Sequence, residues 1–322
     1  MLGSIVLAIG CLFGPASATL RTNHDSFARE LYQFPNETFI ENVAVLSDGR
    51  LLLNTFDDGQ IYILDPSSPN PEAHVLAKIP GINQLTGIAQ IKHNVIAVSG
   101  GVAGADFSFV NGSALVATVD LNHIGGSAVV KIIAKITDTM MLNGMVALPD
   151  APHIVLSADS INGRIFRTNT ITGDVDIAFR DDLIGPGPDP QIVPLGANGL
   201  EIHKGYLYFT NSNLQFFARV SINKQGYATG EIEEIYRMPP GHFNAFDDFS
   251  MTRQGTAYIG SQRDSLVMIT PDGYLKTLLG PESQVKLLSP TSVVLTKDEK
   301  TAYVVTGGVN GLGGQVVQVR CA

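Results

Sequence analysis

The chain has 322 residues, 44% of them hydrophobic and only 16% charged, with 33 Gly, no Trp and a formal net charge of -9. An acidic balance without a basic patch or aromatic–basic interleaving argues against nucleic acid or an anionic membrane as partner. No stretch beyond the N-terminal leader is long and apolar enough to span a bilayer, and P-loop, dinucleotide fingerprint, H-E-x-x-H, C-x-x-C and G-x-S-x-G patterns are all missing.

Met1 to Ala18 reads as a secretory signal. LGSIVLAIGCLFG is an apolar run of suitable length, and Ala16-Ser17-Ala18 is a small-residue cleavage site. Residues 19–322 would then form one domain in the secretory pathway, secreted or lumenal, with Asn36-Glu37-Thr38 and Asn111-Gly112-Ser113 usable as glycosylation sequons. Cys11 falls in the leader, so Cys321 is left as a lone thiol and no disulfide staples the mature fold. Thr19 to Phe34 is an approach segment, in which DSFARELYQF has helical character before the break at Pro35.

Strand-rich units of about fifty residues follow. Each opens on a short polar or Gly-containing cluster, then runs strand, tight turn, strand. ENVAVLSDGRLLLNTFDDGQIYILDP is the clearest copy, and the opening clusters lie near Glu41, Thr86, Asn143, Asn198, Asp247 and Thr291. Asp48-Gly49, Asp58-Gly59, Asn162-Gly163 and Asp272-Gly273 are hairpin turns, since Asn-Gly and Asp-Gly tolerate the positive φ of primed turns. A repeat of this size made only of strands predicts an all-β fold, a six-bladed β-propeller. Alternating apolar positions such as Leu51, Leu53, Leu207 and Phe209 are then core between blades, and the chain ends are expected to share one blade and so close the ring. The segments 100–113 and 181–194 are loops suited to covering a channel mouth.

In a propeller the opening clusters converge on the central channel. Glu41, Asn198 and Asp247 would be three hard oxygen donors, a set that suits Ca²⁺, Mg²⁺ or Mn²⁺. The same residues also suit a purely structural role, satisfying backbone N–H groups where the inner strands begin.

The chain resembles the calcium-dependent gluconolactonase and senescence-marker family of six-bladed propellers. Glu41-Asn42-Val43 matches the family's metal-binding Glu without the following Gly-Pro. Asn198-Gly199-Leu200 matches its N-G ligand segment, and Asp247 through Gly255 keeps the Asp and final Gly of its D-G-x-x-x-D-x-x-G segment. Met141-Leu142-Asn143-Gly144 keeps only the Asn of the R-x-N-D sugar-contact segment, which removes a guanidinium fork and makes that wall apolar. A longer resemblance is to a fungal, leader-bearing branch with an F-P-x-x-T-x-x-E-N-x-A-V-x-x-x-G-x-L-L motif. Here that motif is Phe34-Pro35 through Val45, then Gly49, Leu51 and Leu52. That branch includes hetero-Diels–Alderases of tropolone–sesquiterpene biosynthesis.

The branch implies a small apolar or aromatic substrate, a quinone methide joined to a terpene alkene, and no cofactor. Such a step needs orientation and a donor that polarises an enone oxygen. Asn143, Asn198 and Tyr206 are candidate donors, and Glu41 or Asp247 would assist dehydration of a precursor alcohol. His242 is a candidate general base or a plain turn histidine. Met141, Phe216, Phe243, Phe246 and Asp248 are candidate substrate contacts, the phenylalanines being equally suited to packing between blades. The alternatives are a divalent-metal lactonase using Glu41, Asn198 and Asp247, and a secreted propeller that binds without turnover.

Overall fold

The computed structural model describes residues 27–122, 128–190, 192–242 and 244–321. These form six four-stranded antiparallel sheets around one axis, a six-bladed β-propeller, with no helix among the described residues. The inner strands are Ile40–Val45, Gln84–Lys92, Leu142–Leu148, Ala197–His203, Phe246–Met251 and Pro290–Leu295, taken as blades one to six. Each contains one of the opening clusters read from the sequence. The leader at residues 1–18 and its cleavage site lie outside the described residues.

The segment expected to have helical character is instead a strand. Ala28–Gln33 pairs with Gln315–Arg320 and becomes the outermost strand of blade six, Ala28 opposite Val319 and Gln33 opposite Gln315. Helix propensity is a weak preference, and here it competes with an unpaired sheet edge and with burial of Leu31 at 9% exposure. The first described strand thus closes the ring beside the last.

The four Asp-Gly and Asn-Gly pairs all sit in turns between consecutive strands of one blade. At Asp58-Gly59 both residues have positive φ, 53° and 68°, as a primed two-residue turn demands. Period-2 alternation sends one set of side chains into each gap between blades. Leu51, Leu53, Leu207 and Phe209 have no exposed surface there. Between blades three and four, Leu156, Ile165, Leu200, Phe209 and Phe216 share one apolar cluster. Truncating a Phe in such packing costs about 3–5 kcal/mol.

Every inner strand has a register irregularity at the same level: Ile40/Asn42, Leu85/Ile88, Leu142/Met145, Ala197/Leu200, Phe246/Phe249 and Pro290/Ser292. A bulge frees ladder groups, and side chains of the neighbouring blade take them up. Asn54 Nδ2 donates to the Gly87 carbonyl (3.0 Å), Thr210 Oγ1 to Asp247 O (2.9 Å), Ser212 Oγ to Phe246 O (2.7 Å) and Thr291 Oγ1 to Ile40 O (2.7 Å). Close approach at this level also requires glycine. A Cβ on Gly144 would lie 2.2 Å from the Asn198 carbonyl oxygen, and one on Gly199 2.3 Å from Asp248 Oδ1. The N-G clusters are therefore the seam by which adjacent inner strands touch.

Candidate active site

The bulges turn two successive residues toward the channel, one toward each end. Glu41, Asn198 and Asp247 face one end, where they line a cavity of about 370 Å³ together with Met141. Turns within blades and connections between blades build its rim. Phe39 and Phe56 stack at 4.8 Å with an interplanar angle of 12°, and both line the cavity. Phe107 comes from the loop 100–113, and Ile192 and Val193 come from the loop 181–194, so both predicted loops reach the mouth. Phe107 is held up at φ 60° with 60% of its surface exposed, while Phe109 beside it is buried. The upper wall is thus apolar and the floor polar.

On the floor, Asn198 Nδ2 donates to Ser212 Oγ (3.0 Å), which leaves Asn198 Oδ1 buried without a hydrogen-bond partner among the described residues. Gln262 Nε2 donates to Asp247 Oδ2 (2.5 Å), and Asp247 Oδ1 accepts the Asp248 backbone N–H (3.1 Å). Burial pushes the Asp247 carboxyl up to about 7, against the Gln262 hydrogen bond and with help from the Asp248 charge. Burial, then the charges of Asp247 and Asp248, hold Glu41 well above the ordinary carboxylate range. Among the described residues lining this cavity, Arg263 is the one with a cationic side chain. The floor carboxyls therefore keep their protons to higher pH than ordinary carboxylates do, and in the protonated form they are hydrogen-bond donors as well as acceptors.

Asp248 faces the other end. It lines a second depression with Asn42, Gln90, Glu201 and Ser292, accepts from Asn42 Nδ2 at 2.7 Å, and is raised by burial to about 6. The expected role of Asp248 as a contact in the same cavity is thereby corrected: Asp247 and Asp248 both lie in the register irregularity between Phe246 and Phe249, and they point to opposite ends of the channel. Asn143 holds the equivalent bulge position in blade three, 2% exposed, with Nδ2 unpartnered among the described residues; it is not among the cavity-lining residues.

Other expected contacts fall elsewhere. Tyr206 begins its strand opposite His203, at the far end from Asn211, which pairs with Ala197 at the cavity level. That separation is roughly 16 Å along the strand, and the Tyr206 ring instead lies under the Arg219 guanidinium, 4.4 Å away. Phe216 and Phe246 are fully buried between blades, Phe216 against Phe209 and Phe246 against Tyr236. His242 is exposed on the turn before blade five, where its N–H meets Pro239 O at 3.3 Å, and it does not line the cavity. Phe243 lies outside the described residues. Asn36 and Asn111 are both exposed, on connections at the mouth end.

Several residues at the mouth were not singled out from the sequence: Phe39, Phe56, Gln262, Arg263 and Ser289. All lie at strand ends or turns, where periodicity is silent. Phe39, two residues before Glu41, and Gln262-Arg263, directly after the strand Ala257–Ser261, were available signals.

No protein-family model matches the chain. It is 23% identical over 322 residues to a Phoma sp protein named "Putative hetero-Diels-Alderase", covering 91% of this chain and 90% of that one. The similarity falls where the motif resemblance pointed. A protein of the same designation from Sarocladium schorii is 24% identical over 314 residues, covering 87% of this chain and 78% of that one. Among solved structures, a gluconolactonase from Xanthomonas campestris superposes with a TM-score of 0.64 at 11% identity, covering 91% and 89% of the two chains. This last likeness is one of fold.

Proposed function

We propose that this protein is a pericyclase of the hetero-Diels–Alder kind, joining a quinone-methide-type heterodiene to a terpene alkene. The observation that carries the reading is the cavity itself: aromatic and aliphatic walls above a floor of proton-retaining carboxyls and carboxamide. The similarity to proteins bearing that name supports it. A precursor alcohol binds with its planar ring against Phe56 and its oxygens toward the floor. The Asp247 or Glu41 carboxyl gives its proton to the departing hydroxyl, which leaves as water. The adjacent enol O–H returns a proton to the resulting carboxylate, so the enzyme ends unchanged and the heterodiene is formed. The alkene lies along Met141, Ile192, Val193 and Leu195. A floor donor then polarises the enone oxygen while the C–C and C–O bonds form together, without net proton transfer. Alignment of two partners supplies up to about 7–11 kcal/mol, and one well-placed donor about 2.7–4 kcal/mol.

The test is incubation of the protein with an o-hydroxybenzylic alcohol precursor and a humulene-type alkene. Cycloadduct should form faster, and with different stereoselectivity, than in buffer. An unchanged rate and isomer ratio would count against the reading.

A second reading is a divalent-metal lactonase. Asn198 Oδ1, without a hydrogen-bond partner among the described residues and beside Glu41 and Asp247 in the cavity lining, is what favours it, because hard oxygen donors suit Ca²⁺, Mg²⁺ or Mn²⁺. These three residues would hold the ion, which would polarise a lactone carbonyl. Gln262 would then orient Asp247. Elemental analysis and a lactone panel with and without chelator separate the readings. The pericyclase reading expects activity unaffected by chelation.

A further inference from the structure

We infer that Arg263 selects the oxygen-bearing partner as an anion, so that the ligand is a planar conjugated ring carrying an ionised carboxylate or acidic enol. The inference rests on the reading of this cavity as the active site and names its substrate class. Arg263 lies in the turn between the strands Ala257–Ser261 and Ser265–Ile269 of blade five. Its backbone is fixed from two sides. The Arg263 carbonyl accepts the Ser289 N–H (2.9 Å), and the neighbouring Gln262 N–H donates to Ala245 O (2.8 Å). The Gln262 side chain is tied at one end to Asp247 and at the other to Ser289. The guanidinium is therefore mounted on a rigid point of the rim while its side chain remains exposed.

Its charge is also uncommitted. Arg50, Arg164, Arg167, Arg219, Arg237 and Arg253 are each paired with a carboxylate. Arg263 makes no ion pair of that kind among the described residues, although Asp264 follows it in sequence; Asp264 accepts instead from Ser265 Oγ (2.8 Å). Arg263 is the cationic side chain among the described residues lining the cavity, so it is the group there that can meet a ligand anion. A neutral ring gains little from an exposed guanidinium, whereas an ionised oxygen acid gains a charge-assisted, two-pronged contact. The Phe39–Phe56 stack supplies a flat surface for the ring that carries the acid.

The test uses two flat fluorescent probes of equal size, 2-naphthoate and 2-naphthamide, titrated into the mature protein at pH 6. The expected result is a preference of about tenfold for 2-naphthoate. Arg263→Gln should remove the preference while leaving 2-naphthamide affinity unchanged, and Arg263→Lys should retain part of it. Thermal melts establish that each variant folds. Equal binding of the two probes to the unmutated protein, no saturable binding of 2-naphthoate, or a preference that survives Arg263→Gln would each overturn the inference. Phe56→Ala distinguishes the two layers of the argument. It should weaken both probes alike; probes that ignore it would show that the cavity reading has failed, and the anion assignment with it.

Discussion

Gln262 Nε2 donates to Asp247 Oδ2 across 2.5 Å, and Ser289 Oγ donates to the other end of the same carboxamide. This relation sets how Asp247 titrates. Burial raises the carboxyl, and the Gln262 bond is the largest influence opposing that rise. Gln262→Leu should therefore shift the Asp247 titration upward. If Asp247 works as an acid, wild-type turnover holds below pH about 7 and falls about tenfold per pH unit above it. The falling limb should move to higher pH in the variant. A pH–rate profile of both proteins checks the direction.

Asp247→Asn separates the two proposed steps. An amide cannot deliver a proton to a leaving hydroxyl, so if Asp247 is the acid, dehydration of the precursor alcohol should slow by about 10²–10⁴, whereas an unchanged rate assigns the acid to Glu41. Asn still donates a hydrogen bond, and Gln262 can rotate its carboxamide to match. Cycloaddition from a preformed heterodiene should accordingly suffer far less. Single-turnover assays starting from each species measure the split.

Glu201 offers a stability test away from the cavity. Burial and the charge of Asp248 raise it to about 7. A carboxyl raised on folding binds more protons in the native state, so its contribution is fully present below the unfolded value and is lost as pH rises through about 7. Glu201→Gln should raise the melting temperature at pH 8, by an amount corresponding to about 1–3 kcal/mol, and change little at pH 4. Turnover should be unaffected, because Glu201 faces the opposite end of the channel. Melts at the two pH values decide it.

The propeller was legible because its signals are local. Asp58-Gly59 marks a turn, alternation through Leu51 and Leu53 marks a strand, and the polar openings recur at Glu41, Asn198 and Asp247. The same logic brought these three side chains to one cavity. It failed where a single step of strand phase decides. Asp247 and Asp248 are neighbours in sequence yet face opposite ends, and Phe246 before them is core. The strand Ala28–Gln33 was hidden because its partner is almost the whole chain away. Phe56 and Arg263 were hidden because they stand in turns, where no periodicity singles out a side chain.

Gly144 tests the seam. Alanine there would place Cβ 2.2 Å from the Asn198 carbonyl oxygen, a backbone atom that cannot rotate away. Overpacking of this kind costs about 1–3 kcal/mol or more. Because the carbonyl it would push aside belongs to Asn198, Gly144→Ala should lower both the melting temperature and the activity, whereas alanine at Gly49, with open space around its Cβ, strains only a turn. Melts and assays of the two variants side by side check this.

Phe56→Ala removes one face of the stack with Phe39. An aromatic pair is worth about 0.5–1.5 kcal/mol beyond its buried area, so substrate affinity should fall by roughly 2–13-fold with a smaller effect on stability. KM measured against a melt of the same protein separates the two effects.

The most direct measurement is a crystal structure of the protein with a stable heterodiene analogue bound. The planar ring should lie against Phe56, with its carbonyl oxygen within hydrogen-bonding reach of Asp247 or Glu41 and its ionised oxygen on Arg263. An analogue seated at the Asp248 and Glu201 end of the channel, or bound outside it altogether, would show that the Glu41, Asn198 and Asp247 cavity is not the active site.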